Sequence, residues 1–171
     1  WVIVHGASGG VGHILVQLCM HKKAKVIAIV GSQEKSKFLE RYSPSSIINR
    51  NETDIKTQIK NLTHGNGVTA IFDCVGKEVL DINMNCICKG GTILYYGSTS
   101  GHTDFPGLQI LMNSLRIQGF NIFNAIQDSN EWNIITNKLI SLVIDRKLEI
   151  HIDRILKMME APEAHKLLEE R

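Results

Sequence analysis

Trp1-Val-Ile-Val-His-Gly-Ala-Ser-Gly-Gly-Val-Gly12 decides the fold of this 171-residue chain. Residues 1–5 have strand character and run straight into a glycine-rich stretch. From about Gly10 the apolar residues change period, with Val11, Ile14, Leu15 and Leu18 recurring at helical spacing as far as His21. A strand that turns on glycine into a helix presents bare backbone N–H groups, and the positive end of the helix dipole, to whatever lies beyond the strand. In Ser8-Gly9-Gly10-Val11-Gly12, Gly9 lets the backbone approach a pyrophosphate and Gly12 lets the helix pack closely on the sheet. The spacing Ala7-x-Gly9-x-x-Gly12 is that of a dinucleotide-binding turn with alanine at its first position. A Walker-type phosphate loop is excluded, because no Gly-Lys-Ser/Thr follows.

Outward from this turn, short apolar runs alternate with amphipathic stretches. Strands are expected at residues 25–30, 46–48, 68–74, 92–96 and 115–123, and helices at about 10–21, 33–42, 53–62, 77–87 and 108–113. Asp128-x-x-Glu131 reads as a capping box that opens a long helix to about Asp145, and Pro162 sits in the first turn of a last helix. Six strands alternating with helices predict an α/β fold: a doubly wound parallel sheet of the Rossmann type, with helices on both faces. The ligand crevice then lies at the carboxyl ends of the strands, beside Gly31–Ser32, Asn49–Arg50, residues 74–76, Gly97–Ser98 and residues 119–121.

The cofactor preference is legible at the end of the second strand. A site selective for NAD carries a carboxylate there to bond the ribose hydroxyls, and this chain has Gly31. Ser32 and Lys35 follow with a hydroxyl and an ammonium, and Arg50 ends the neighbouring third strand. A 2′-phosphate wants such donors, so the expected cofactor is NADPH, favoured over NADH by at least about tenfold. Asp73 ends an apolar strand and reads as structural, with Gly76 nearby giving the cofactor room to approach. His5 ends a buried strand and is expected to bond locally; the other histidines are scattered and receive no ligand role.

Composition narrows the rest. Nineteen Lys and Arg against 17 Asp and Glu give a net charge of +2, too even for a nucleic-acid surface. No apolar run approaches the roughly 20 residues of a membrane span, and no signal peptide is expected, because the sequence opens directly on the Trp1-Val-Ile-Val strand. The four cysteines, Cys19, Cys74, Cys86 and Cys88, lie in or beside apolar runs. Cys86-x-Cys88 lacks the Cys-x2-Cys spacing of zinc sites, so no metal is expected and a reducing cytoplasm fits. The glycines also match Gly6-x3-Gly10-x-Gly12, the short-chain dehydrogenase pattern, but that family's Tyr-x3-Lys pair is missing: Ser46, Thr99 and Ser100 stand four residues after Tyr42, Tyr95 and Tyr96.

Residues 4–12 resemble the medium-chain dehydrogenase/reductases, in their zinc-independent, zeta-crystallin-like quinone oxidoreductase branch. Gly31-Ser32-x-x-Lys35, Ile48-Asn49, Phe72-Asp73-Cys74-Val75-Gly76, Gly90-Gly91 with Tyr96-Gly97-Ser98, Gly119-Phe120 and Pro162-Glu-Ala-His165 extend the match in order over nearly the whole chain. The resemblance implies hydride transfer from NADPH to a quinone or an α,β-unsaturated carbonyl, with the amides around Phe120 and Asn121 near the nicotinamide. It also implies a homodimer through strand 115–123, no nucleic acid and no membrane. Family members carry a catalytic domain before this region. The chain therefore reads as an excised cofactor domain over residues 1–148, with a tail at 149–171 that joins the other domain, and no catalytic residue is assigned in it. The alternatives are the cofactor domain of a zinc-dependent alcohol dehydrogenase, and a non-enzymatic nucleotide-sensing or RNA-binding module; no basic aromatic stripe supports the latter.

Overall fold

The computed structural model describes residues 1–52 and 54–169. Six parallel strands form one sheet in the order β3-β2-β1-β4-β5-β6. They are β1 (Val2–Val4), β2 (Val26–Val30), β3 (Ser46–Asn49), β4 (Val68–Asp73), β5 (Ile87–Tyr95) and β6 (Arg116–Gly119). The helices are α1 (Gly12–His21), α2 (Gln33–Glu40), α3 (Ile55–Leu62), α4 (Leu80–Cys86), α5 (Gly107–Asn113), α6 (Ile122–Ala125), α7 (Ser129–Ile144) and α8 (Ala161–Glu169). The expected doubly wound sheet is therefore present, with strand order reversing at β1.

The two-residue period of the strands sorts the core into two layers. Ile3, Ile27, Ile29, Ile48, Ile71 and Ile93 face one side, where Ile55 and Ile59 of α3 and Met84 of α4 close over them. Val2, Val4, Val26, Ala28 and Val30 face the other, against Val16 and Cys19 of α1 and Leu39 of α2. Both faces of β1 and β2 are buried, as continuous Val/Ile runs in a parallel sheet require.

Several boundaries differ from the expectation. Strand one stops at Val4, and His5 already belongs to the turn. Helix α1 begins at Gly12 rather than Gly10, because Gly9 N–H bonds back to the Gly6 carbonyl at 2.9 Å and holds a turn ahead of the helix. Thr53, the expected start of the third helix, lies outside the described residues, as do the last two residues of the tail; Asp54 caps α3 through bonds from the Lys56 and Thr57 amides. The stretch expected as one helix over 77–87 splits into a 3-10 turn (Lys77–Val79) and α4, and β5 starts five residues early at Ile87. The extra length is absorbed by a register shift, since Val68 pairs with Ile87 and Ala70 with Thr92.

The sixth strand is the largest correction. It spans four residues, not 115–123, because Asn121 accepts the Phe123 N–H at 2.9 Å and starts the short helix α6. Ile122 and Phe123, strand-formers by composition, lie in that helix. Beyond α7 the chain crosses back over α1 and ends in a 3-10 turn (Met158–Glu160) and α8, with Pro162 in its first turn. Among the described residues no helix is long and apolar enough to cross a membrane.

Candidate functional site

The carboxyl ends of β1, β2, β3 and β4 converge where the strand order reverses. The Gly6–Gly12 turn lies at the centre. A Cβ on Gly12 would collide with the Gly6 carbonyl oxygen, so only glycine lets α1 start this close to the turn it follows. Gly9, Gly10 and Val11 are exposed, Ser8 half-buried and Gly12 buried. Ser32, Asp54, Asn121 and Asp128 each accept amides at the starts of α2, α3, α6 and α7, whereas α1, like α4 and α5, has no side-chain cap. The His13 N–H of the first turn is taken by the Gly9 carbonyl, so the amides that the head of α1 offers to an anion at the strand ends, along with the helix dipole, are those of residues 10–12.

Next to this turn, Arg50 lies over Gly31. A Cβ on Gly31 would stand 3.6 Å from Arg50 Nε, which brings two of the expected site residues together across β2 and β3. Asn51 donates its side-chain N–H to the Gly31 carbonyl at 2.7 Å and so fixes the end of β2. Ser32 caps α2, its Oγ accepting the Lys35 N–H at 3.3 Å, and Lys35 is exposed in the first turn. Arg50 Nη1 also sits 3.8 Å from Glu78, on the turn after β4.

A buried chain of side chains underlies the same strand ends. Asp73 accepts the N–H groups of Val75 and Gly76 on one carboxylate oxygen, at 2.7 and 2.9 Å, and the Asn83 amide on the other at 2.8 Å. The Asn83 carbonyl oxygen in turn accepts His5 Nε2–H at 2.7 Å. Because a carboxylate only accepts, the amide orientation and the protonated ring nitrogen follow in sequence. His5 thus bonds to α4, 78 positions away, rather than locally as expected. Burial lowers the His5 pKa below its ordinary 6.5, against the pull of Asp73, and nearby Arg50 adds to the lowering. Asp73 is structural, as expected: it shapes the Val75–Gly76 turn.

Gly76 has a φ of +89°, and a Cβ there would lie 2.7 Å from the Gly101 carbonyl oxygen. Part of the demand for glycine is therefore made by the loop after β5, which packs on this turn through Ser100 Oγ–H to the Val75 carbonyl at 2.7 Å. The Ser98 hydroxyl is used inside the same loop, donating to the Gly101 carbonyl. Gly97, Ser98, Phe120 and Asn121 come together with Tyr95 and Tyr96 around an open groove of about 510 Å³ at the ends of β5 and β6. Burial pushes the Tyr96 phenol well above its ordinary range, so it stays neutral.

A model of known sequences, described as zinc-binding dehydrogenase, matches residues 10–141. This chain belongs to the zinc-binding dehydrogenase family. A probable quinone oxidoreductase of Schizosaccharomyces pombe is 30% identical over 171 residues, covering 99% of this chain and 51% of that protein. Quinone oxidoreductase 1 of Escherichia coli is 28% identical, covering 99% and 53%. The crystal structure of the Escherichia coli quinone oxidoreductase complexed with NADPH superposes with a TM-score of 0.86 at 26% identity, covering 99% of this chain and 53% of that one. That of 2-haloacrylate reductase gives a TM-score of 0.90 at 27%, covering 99% and 54%. The resemblance to the quinone oxidoreductase branch is upheld, and the chain spans about half the length of the relatives it matches.

The family's name implies zinc, and the residues present do not fit one. Among the described residues no three His, Cys, Asp or Glu side chains converge. Burial pushes the Cys19 and Cys86 thiols up to about 11, away from the thiolate form that binds metal. Asn51, Glu78 and Asn83 are the site-forming residues that sequence reasoning missed. Only Asn83 leaves a signal: with Val79 and Cys86 it falls on one buried helical stripe, an amide where an apolar residue is expected.

Proposed function

We propose that this chain binds NADPH and that the whole protein is an oxidoreductase passing hydride to a quinone or an α,β-unsaturated carbonyl. The observation that carries this reading is a conjunction at the strand ends. Helix α1 begins uncapped behind the glycine turn, and the Arg50 guanidinium lies over Gly31, where an NAD-selective site would hold a carboxylate. On this reading the amides at Ser8, Gly10, Val11 and Gly12 take the pyrophosphate, and Gly9, whose N–H is bonded to Gly6, lets the backbone approach it. Gly31, Ser32, Lys35 and Arg50 take the 2′-phosphate, which exchanges with the Glu78 carboxylate as partner of Arg50. Gly76, Gly97, Ser98, Phe120 and Asn121 line the nicotinamide end. The nicotinamide supplies the hydride, and the chain orients it and excludes water.

The acceptor class rests on the names of the relatives, quinone oxidoreductase and 2-haloacrylate reductase. The zinc-dependent alternative would place its ligands outside this chain, so metal analysis of the full-length protein separates the two readings. The reading divides the chain into a cofactor domain at 1–148 and a joining segment at 149–171, in a reducing cytoplasm where the four free thiols persist. It pairs two copies along the outer edge of β6, beside the exposed Phe120 and Ile122; a clean monomer by light scattering at high concentration removes the dimer. Titration calorimetry of NADPH and NADH tests the cofactor. Wild type is expected to prefer NADPH by at least about tenfold, and Lys35→Ala with Arg50→Ala to erase the preference. Equal affinities in wild type, or an unchanged ratio in the double variant, overturn the phosphate assignment.

A further inference from the structure

The Gly9 carbonyl accepts two bonds, from the His13 backbone N–H at 3.1 Å and from His13 Nδ1 at 2.8 Å. Across the ring, His13 Nε2 meets the backbone N–H of His151 at 3.3 Å. A carbonyl only accepts and an amide N–H only donates, so the two contacts define a neutral ring protonated on Nδ1. The ring is buried. It stacks 6.1 Å from Tyr42 and edge-on 6.2 Å from Phe38, and Phe38 meets the His151 ring at 4.9 Å. The segment that His13 reaches is clamped one turn further along α1. Gln17 donates to the Glu149 carbonyl at 2.9 Å and accepts the Glu149 N–H at 2.8 Å, while Arg41 pairs with the Glu149 carboxylate at 3.9 Å.

Drawing the Gly9 carbonyl onto His13 fixes the whole Gly9–Gly10 peptide plane. In a trans peptide the N–H points opposite to the C=O, so the Gly10 N–H is turned away from the helix and out past its N-terminus. The imidazole thus adds to the His13 backbone N–H in setting the direction of a loop amide, and it also holds a backbone amide of the returning segment.

We propose that His13 is a positioning residue that couples the glycine loop to the seating of Glu149–His151, an inference that rests on the cofactor reading. Occupation of the loop by the dinucleotide pyrophosphate favours the Gly10 amide in its outward direction. That favours the His13 ring position, which holds the His151 amide; by reciprocity, a seated segment strengthens dinucleotide binding. The coupling travels through two hydrogen bonds and one rigid ring, a contiguous path with a defined polarity.

Hydrogen–deuterium exchange at the His151 amide, with and without saturating NADPH, tests this, with the Ile59 amide of α3 as reference. In wild type NADPH slows His151 exchange about threefold more than Ile59 exchange. His13→Asn keeps a donor near the Nδ1 position and loses the reach to His151; His13→Gln keeps an acceptor near the Nε2 position and loses the bond to Gly9. Both variants abolish the extra slowing, and thermal melts verify that both remain folded. Extra slowing that survives in His13→Asn overturns the coupling, as does NADPH binding to wild type with no extra slowing at His151. No NADPH binding at all overturns the cofactor reading and the coupling with it.

Discussion

Asp54 and Asp128 start their helices in the same way, each accepting two amides of the first turn, yet what the two helices do next differs. Helix α3 buries Ile55 and Ile59 against the sheet, whereas none of the sixteen residues of α7 is buried, and Ile134, Ile135, Ile140 and Ile144 are 48–74% exposed. The contrast extends to whole regions. Helices α1 to α4 each bury residues; α5 to α8 bury none. Local signals therefore write a helix equally well in both regions, but only the first region buries its apolar face; in the second, α5 sets Ile110 half-buried against the core. The strand-end site draws most of its supports from the packed region, and the less packed one supplies the far wall of the groove at Phe120 and Asn121.

The sharpest test of that contrast is Asn83→Leu. It leaves the His5 Nε2–H and one oxygen of Asp73 buried without a partner, and is expected to cost about 3 kcal/mol in urea unfolding. A loss below about 1 kcal/mol would mean that the packed region is no more tightly specified than α7. A smaller effect is expected from pH. The folded state holds His5 neutral below its ordinary pKa of 6.5, so the unfolded chain binds more protons in that range. This contribution to stability is complete above pH 6.5 and is lost as pH falls from there through the lowered folded value, with a slope of up to about 1.4 kcal/mol per pH unit. His5→Gln, which keeps a donor toward Asn83, should flatten the fall in melting temperature between pH 6.5 and 5; an unchanged profile would assign the acid sensitivity to other groups. The smallest effect belongs to α7. Ile135→Ser with Ile140→Ser should change the stability of this chain by no more than about 0.5 kcal/mol while reducing its binding of a hydrophobic dye. A large loss would show that these side chains already pack on something.

The strand order, the turn and the cap at Asp128 were legible because each is written within a few residues: alternating apolar runs, closely spaced glycines, an oxygen-bearing side chain before an amphipathic run. The sixth strand was misjudged where two local signals compete. Ile122 and Phe123 favour a strand, but the Asn121 cap ends it. Asn83, Glu78 and the reach of His5 escaped for a different reason. Their partners lie far along the chain, and a bond over 78 positions leaves no period to read. Arg50 was legible because strand order alone puts β3 beside β2.

Strand β1 has a consequence in time as well as in space. It lies at the centre of the sheet, with β2 on one side and β4 on the other, and the Trp1 carbonyl waits for Thr69, 68 positions later. During synthesis, the strand that leads into the glycine turn leaves the ribosome well before the partner that completes it. Ile3 and Val4, which end with no exposure, are in water until β4 arrives. Closure of that long loop is an entropic barrier paid before any contact rewards it, so the β1–β4 pairing, which brings Cys74 beside Gly6, is expected to form after β1–β2. Until β4 arrives, β1 has β2 on one side and an open apolar edge on the other, and it is there that aggregation competes with folding.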